Sequence, residues 1–265
     1  MVLKFWLIDD LYATPYGRGV LNNLTGTPQY LSWLCRKLRP HVGDTVLEVG
    51  AGIGNVAGRL IGKRLLYVAG EKDPLYLHAL RNRFLRTPNV AVQQIDPEKP
   101  ADLAGLEQCF DTVLCLNVLE YVEDPAAVLD SMRATLKPEG VAVVLVPQNH
   151  RLFGSLDRSL GHKRRYTAAE MRRLLESRGF APLSVYNFNK AGTPPWWAYS
   201  KMAGSRRISK PVLKLFDKTV WLWRHLDPLL PWNGLSLIVV ARKVGGPAQP
   251  LPECAINRQT PASSN

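Results

Sequence analysis

The chain has 265 residues, 46% hydrophobic and 21% charged, which suits one domain near the upper size of a single core and excludes a collagen, a coiled coil or a mainly disordered protein. Its net charge of +12 is unevenly spread: residues 1–150 carry 15 Lys or Arg against 16 Asp or Glu, and residues 151–265 carry 19 against 6, so the halves face different partners. Cys35, Cys109, Cys115 and Cys254 form no CxxC pair and have no His at ligand spacing, which argues against a zinc ribbon, any other metal site or a disulfide framework, and favours a reducing compartment.

At the start, the apolar run Val2 to Ile8 is interrupted by Lys4 and closed by Asp9 and Asp10, too short for a secretory signal core. No window has the roughly 20 uncharged apolar residues of a membrane span. A covering helix is expected within residues 28–43, carrying Tyr30, Leu31, Trp33 and Leu34. From Asp44 short β-branched runs alternate with amphipathic stretches, a βαβ rhythm that predicts an α/β fold with a parallel sheet covered on both faces. Strands are expected near 45–50, 65–70, 90–95, 111–116, 141–147, 182–189 and 235–242, and helices near 54–62, 74–86 and 125–137. The last of these starts with Asp124 as N-cap and Pro125 at the first helical position, and stops at Pro138 and Gly140. Thr167 with Glu170 reads as a capping box opening a helix to about Arg178.

Residues 191–234 interrupt the last two strands with a Pro/Trp stretch and a basic, helix-like segment around Val212 to Leu226. Residues 1–244 are thus expected to be one domain with this insertion, and residues 245–265, rich in Pro, Ser, Gln and Asn, a disordered tail. Five of the seven Trp lie in the basic half, a mixture that suits an anionic membrane surface, an anionic substrate or a solvated rim around a core cluster.

The strongest chemical signal is TVLEVGAGIGN, in which a strand carrying Glu48 runs into Gly50, Ala51, Gly52 and Gly54 at a helix start. Glycines there let the backbone approach a ligand and leave the helix N–H groups free. Gly52 to Ala57 also satisfies a dinucleotide fingerprint. Two features break the tie: Glu71 ends the second strand, where a carboxylate can accept from both ribose hydroxyls, and Asp96 follows the third strand, ahead of FDTVLCLNVLEYVEDP at the fourth.

With these segments in order, the sequence resembles the class I S-adenosylmethionine-dependent methyltransferases over about residues 28–243, particularly the small-molecule group whose fourth-strand motif reads like LNVLEHVED. The resemblance implies a Rossmann-like, seven-stranded, mostly parallel sheet and S-adenosylmethionine as cofactor. It implies further that Glu48 and the loop from Gly50 to Gly54 cradle the methionine and sugar, Glu71 holds the ribose, Lys72 flanks the adenine, Asp96 bonds its amino group, and Asn117 with Val118 contacts the methionine end. A sulfonium ligand has no phosphate, in keeping with a loop that lacks Lys and Arg. The chain departs from the pattern at Tyr121, where relatives have His.

After the fifth strand comes VPQNHRLFGSLDRSLGHKRRYT, similar to the GSLDxxLGHxRRYT segment that lines the acceptor pocket in a subset of these enzymes. Residues 148–166 are accordingly an expected acceptor loop, with His162 as general base, Arg165 to hold an anionic group and Tyr166 to orient the acceptor. Asp157 and His150 are weaker candidates. The expected reaction is methyl transfer to a hydroxyl, less so an amine or carboxyl, of a small or lipid-linked metabolite, in the cytoplasm with peripheral contact on the inner face of an anionic membrane. The alternatives are an NAD(P)-dependent oxidoreductase on the same glycine turn and a non-catalytic cofactor-binding protein. No nucleic-acid partner is expected, since neither signature of the nucleic-acid modifiers is present.

Overall fold

A computed structural model describes residues 26–62, 64–205, 208–245, 254 and 256. Seven strands, β1 (Thr45–Val49), β2 (Leu66–Glu71), β3 (Val90–Gln94), β4 (Phe110–Leu116), β5 (Leu136–Pro147), β6 (Phe180–Phe188) and β7 (Ser236–Lys243), form one sheet in the order β3-β2-β1-β4-β5-β7-β6. The first five run parallel, and β7 lies antiparallel between β5 and β6. The strand order reverses between β1 and β4, so a ligand crevice belongs at their carboxyl ends.

Side-chain alternation along the strands builds a core on each face. Leu47, Val49, Val113, Cys115 and Val144 pack on one face under α4 (Pro125–Thr135) and α6 (Ala168–Ser177). Val46, Tyr67, Ala69, Leu114 and Val143 pack on the other, under α1 (Pro28–Leu38) and α3 (Pro74–Phe84). The remaining helices are α2 (Ala57–Leu60), α5 (Ser155–Leu160), α7 (Thr193–Trp197) and α8 (Lys210–Leu226). None of the described helices is long and apolar enough to cross a membrane.

Local chemistry accounts for the element ends. Asp124 accepts from the amides of Ala126 and Ala127 with Pro125 opening α4, and Thr167 and Glu170 form the reciprocal capping box of α6. The helix expected over 125–137 stops at Thr135 and β5 begins at Leu136, because Pro138 disfavours the helical region for Lys137 and Leu136 pairs with Phe110. The helix expected over 54–62 shrinks to α2, since positive φ angles at Gly52 and Gly54 keep the chain in turns until Val56. Residues 148–166 are not an open loop but hold a 3₁₀ turn (His150–Leu152) and α5.

The expectation of unpaired cysteines is corrected: Cys109, at the amino end of β4, forms a disulfide with Cys254. A separation of 145 residues leaves no spacing motif in the sequence; the fold alone brings the two together. Ile256, half-buried, packs against the core on the face covered by α4 and α6, so these two residues of the expected tail are held in place. Apart from Gly245, the rest of that tail and the Val2 to Ile8 run lie outside the described residues. Cys35 and Cys115 are buried thiols.

Candidate functional site

The glycine loop leaves β1 with φ of +73° at Gly50, +57° at Gly52 and +78° at Gly54, a conformation that side chains with a Cβ resist. A Cβ at Gly50 would stand 2.6 Å from the Val118 side chain, and one at Gly54 2.6 Å from Phe84. The loop is fastened by Glu71: one carboxylate oxygen accepts from the Gly52 amide at 2.7 Å, the other from the amides of Lys72 and Asp73 at 2.9 Å each. Burial pushes the Glu71 carboxyl above its ordinary pKa, against the pull of those three amides.

Around this loop the other residues expected at the cofactor assemble. Lys72 Nζ lies 3.9 Å from Asp96 and 3.8 Å from Glu98, so the ends of β2 and β3 are joined. Asn117 has a φ of +54° and donates its amide to Leu145 at 2.8 Å, turning the chain sharply where β4 ends. Ala51 is buried, its amide bonded to the Gly70 carbonyl. Glu48 stands apart: its carboxylate is 2% exposed, accepts from the Tyr67 hydroxyl at 2.7 Å, and burial pushes its pKa up to about 7. It lies among α1-side residues within the sheet, one layer below the loop.

The donor set fits the cofactor that the resemblance implies. Residues 49–58 contain no Lys or Arg, and Glu71, Asp96 and Glu98 gather at the strand ends, suited to a cationic sulfonium nucleoside rather than a pyrophosphate.

A second cluster follows β4 and β5. Asp157, fully buried, accepts from His162 Nδ1 at 3.0 Å, from Arg165 Nε at 2.8 Å and from the Gly154 amide at 3.0 Å. Burial alone would raise its pKa, but the hydrogen bonds from His162 and Arg165 outweigh it and hold the carboxyl below its ordinary value. The other His162 nitrogen, Nε2, lies 3.2 Å from the Tyr121 hydroxyl, with the two rings edge to face. Burial raises the Tyr121 pKa, so the phenol stays neutral. Tyr121, the position at which the sequence departs from the family pattern, thus meets an imidazole that comes from His162, just beyond α5.

Arg165 and Tyr166, expected to meet the acceptor, are turned inward. Arg165 is 2% exposed, donates to the Gln148 carbonyl at 2.8 Å and stacks over Trp196 at 5.0 Å. Tyr166 donates to the Leu119 carbonyl at 2.9 Å and sits in the core. Their polar atoms face protein because the short bridge between Gln148 and Tyr166 draws this stretch onto the sheet end. His150 lies outside the cluster, paired with Glu170 at 2.7 Å. Three buried atoms beside Arg165 have no hydrogen-bond partner among the described residues: Glu120 Oε2, Gln148 Oε1 and Trp196 Nε1. Burial pushes the Glu120 pKa up to about 8. Of these, only Glu120 had a signal in the sequence, as the acid of NVLEYVED; Gln148 and Trp196 are joined by folding alone.

The chain is similar to proteins of known name and structure. Ubiquinone biosynthesis O-methyltransferase of Albidiferax ferrireducens is 33% identical over 115 residues, 43% of this chain and 44% of that protein. The Vibrio campbellii protein of the same name is 29% identical over 136 residues, 50% and 52% of the two chains. A tRNA U34 carboxymethyltransferase of Hahella chejuensis is 28% identical over 138 residues, 49% and 42%. The match thus spans about half the length of these relatives. Among solved structures, YcgJ of Bacillus subtilis superposes with a TM-score of 0.56 at 14% identity, covering 82% of this chain and 99% of that one. Geranyl diphosphate C-methyltransferase of Streptomyces coelicolor, in complex with S-adenosyl-L-homocysteine, does so at 0.57 and 14%, covering 80% and 77%. These structures share the fold. The family described as methyltransferase domain matches residues 26–185, more than half of the chain, which therefore belongs to that family.

Proposed function

We propose that the chain methylates a hydroxyl of a small or lipid-linked metabolite, and that it belongs with the methyltransferases carrying the GSLDxxLGHxRRYT segment. The observation that carries this reading is the chain from the Tyr121 hydroxyl through His162 to Asp157, placed where β4 ends beside the glycine loop. A hydroxyl must lose a proton as it is methylated and needs such a route, whereas a carboxylate acceptor is already ionised. The ubiquinone relatives, O-methyltransferases by name, point the same way.

In this reading the loop from Gly50 to Gly54, with Ala51, cradles the cofactor, Glu71 meets its ribose, Lys72 and Asp96 flank the adenine, and Asn117 and Val118 meet the methionine end. Glu48 acts from beneath the loop. S-adenosylmethionine, when bound, supplies an electrophilic methyl group on a sulfonium. As the acceptor oxygen is methylated, its proton passes to the Tyr121 oxygen while Tyr121 passes its own to His162 Nε2. Ionised Asp157 stabilises the resulting imidazolium. Arg165 and Tyr166 are positioning residues: the first fixes Asp157, the second fastens the segment to the end of β4. The unpartnered atoms of Glu120, Gln148 and Trp196 offer the acceptor its other hydrogen bonds, since buried polar groups left unpaired are costly.

The test is incubation with methyl-labelled S-adenosylmethionine and small-molecule, lipid and tRNA extracts side by side, followed by product identification. A labelled methyl ether is the expected product. A base-labile methyl ester or a methylated tRNA as the main product would overturn the assignment.

A further inference from the structure

Helix α8 has two dissimilar faces. Asp217, Val220 and half-buried Phe216 turn toward α1, with the Tyr30 and Phe216 rings 6.5 Å apart. The opposite face presents Lys214, Leu215, Lys218, Trp221, Leu222 and His225, spaced by three and four residues and all exposed. Leu215 is 64% and Trp221 61% exposed. Exposed apolar side chains continue on either side of the helix, at Trp197 and Met202 before it and at Leu229 and Trp232 after it. A scatter of single exposed apolar residues is ordinary, but a concentration of this kind in one inserted segment marks a contact surface.

The charges on the insertion are sorted as strictly. Asp217 and Asp227 are the only acidic residues of 191–234, and both are buried. Asp217 accepts from the backbone amides of Gln29 and Tyr30, so it caps α1 from another helix, and Asp227 accepts from Ala191. The exposed charges that the structure describes on this segment, Lys201, Lys210, Lys214 and Lys218, are therefore all positive.

We propose that the outer face of α8 docks on the surface of an anionic lipid bilayer. Lys214 and Lys218 reach phosphate headgroups while Leu215, Trp221 and Leu222 enter the boundary with the acyl chains, as in an interfacial amphipathic helix whose lysines extend toward the polar layer. Cations alone would serve a nucleic acid equally, but exposed leucine and methionine have no stacking or base-edge chemistry to offer one. The first part of the insertion lies against the 148–166 segment: the Ser155 hydroxyl is shared between the carbonyls of Ser200 and Ser205, 2.8 and 2.6 Å away, and Trp196 underlies Arg165. Docking would bring that segment to the bilayer whatever the acceptor is.

Co-sedimentation of the full chain with vesicles of phosphatidylcholine, alone or mixed with phosphatidylglycerol, tests the proposal. Binding to the mixed vesicles only, lost in about 0.5 M salt, is expected. Lys214→Glu with Lys218→Glu should weaken it by about thirtyfold or more. Trp221→Ser with Leu222→Ser should weaken what binding persists at intermediate salt. Both double variants should keep the wild-type affinity for S-adenosylhomocysteine, which reports that they are folded. Equal behaviour toward the two vesicle types, insensitivity to both double variants, or tighter binding to an RNA duplex than to the mixed vesicles would overturn it.

Discussion

Glu71 uses both carboxylate oxygens to hold three backbone amides, so it shapes the loop, and in the proposed reading it also offers charge to a ribose. Glu71→Ala removes charge-assisted hydrogen bonds and should weaken S-adenosylhomocysteine binding by about ten- to a hundred-fold in calorimetry. An unchanged affinity would refute that role. Glu48 makes a different statement, about stability. Its pKa rises from 4.5 in an unfolded chain to about 7 in the fold. Below the lower value both states are protonated and nothing is lost; as pH climbs through the interval the unfolded chain ionises first, so stability declines until the folded group ionises too. Glu48→Gln keeps an acceptor for Tyr67 and should raise the melting temperature by a few degrees at about pH 8 while changing it little at about pH 4. An equal effect at both would contradict the burial argument.

At the scale of elements, the sequence made the strands and capped helices legible because their signals are local: alternation, Asp124 with Pro125, and the Thr167–Glu170 box each act within one turn. The glycine loop was legible for the same reason. Contacts between elements were not. The helix-like segment around Val212 to Leu226 was expected, but not which face α1 would cover: it takes Phe216 and Val220 and leaves Leu215 outside. Likewise the GSLDRSLGHKRRYT stretch announced an acceptor segment without revealing that Asp157 would collect both His162 and Arg165, or that Tyr121 would close the chain from β4. Asp157 should therefore act through its partners. Asp157→Asn is expected to lower turnover through a mis-set His162 tautomer while S-adenosylhomocysteine affinity holds, and a loss of both would mark the whole segment as structural.

Across the whole molecule, the disulfide ties the C-terminal stretch to the amino end of the central strand β4, at the end of the strands opposite the glycine loop. Closing a span of 145 residues restricts the unfolded chain, an effect on the order of 5 kcal/mol at most. Cys254 is exposed, so Cys254→Ser leaves no cavity and isolates that effect. A melting temperature lower by several degrees under oxidising conditions, with cofactor affinity unaltered, is expected; identical melting curves would contradict a stabilising cross-link.

In the proposed reading the loops after β1 and β2 bind the cofactor, and the Tyr121–His162–Asp157 chain moves the proton. Tyr121→Phe separates them, because it keeps the ring that packs on His162 and deletes only the hydroxyl. The most direct measurement is the single-turnover rate of methyl transfer to the identified acceptor, paired with the affinity for S-adenosylhomocysteine. A rate reduced by about a hundredfold or more with affinity within about twofold of wild type is the expected result. A Tyr121→Phe enzyme that transfers methyl groups at the wild-type rate would contradict the account.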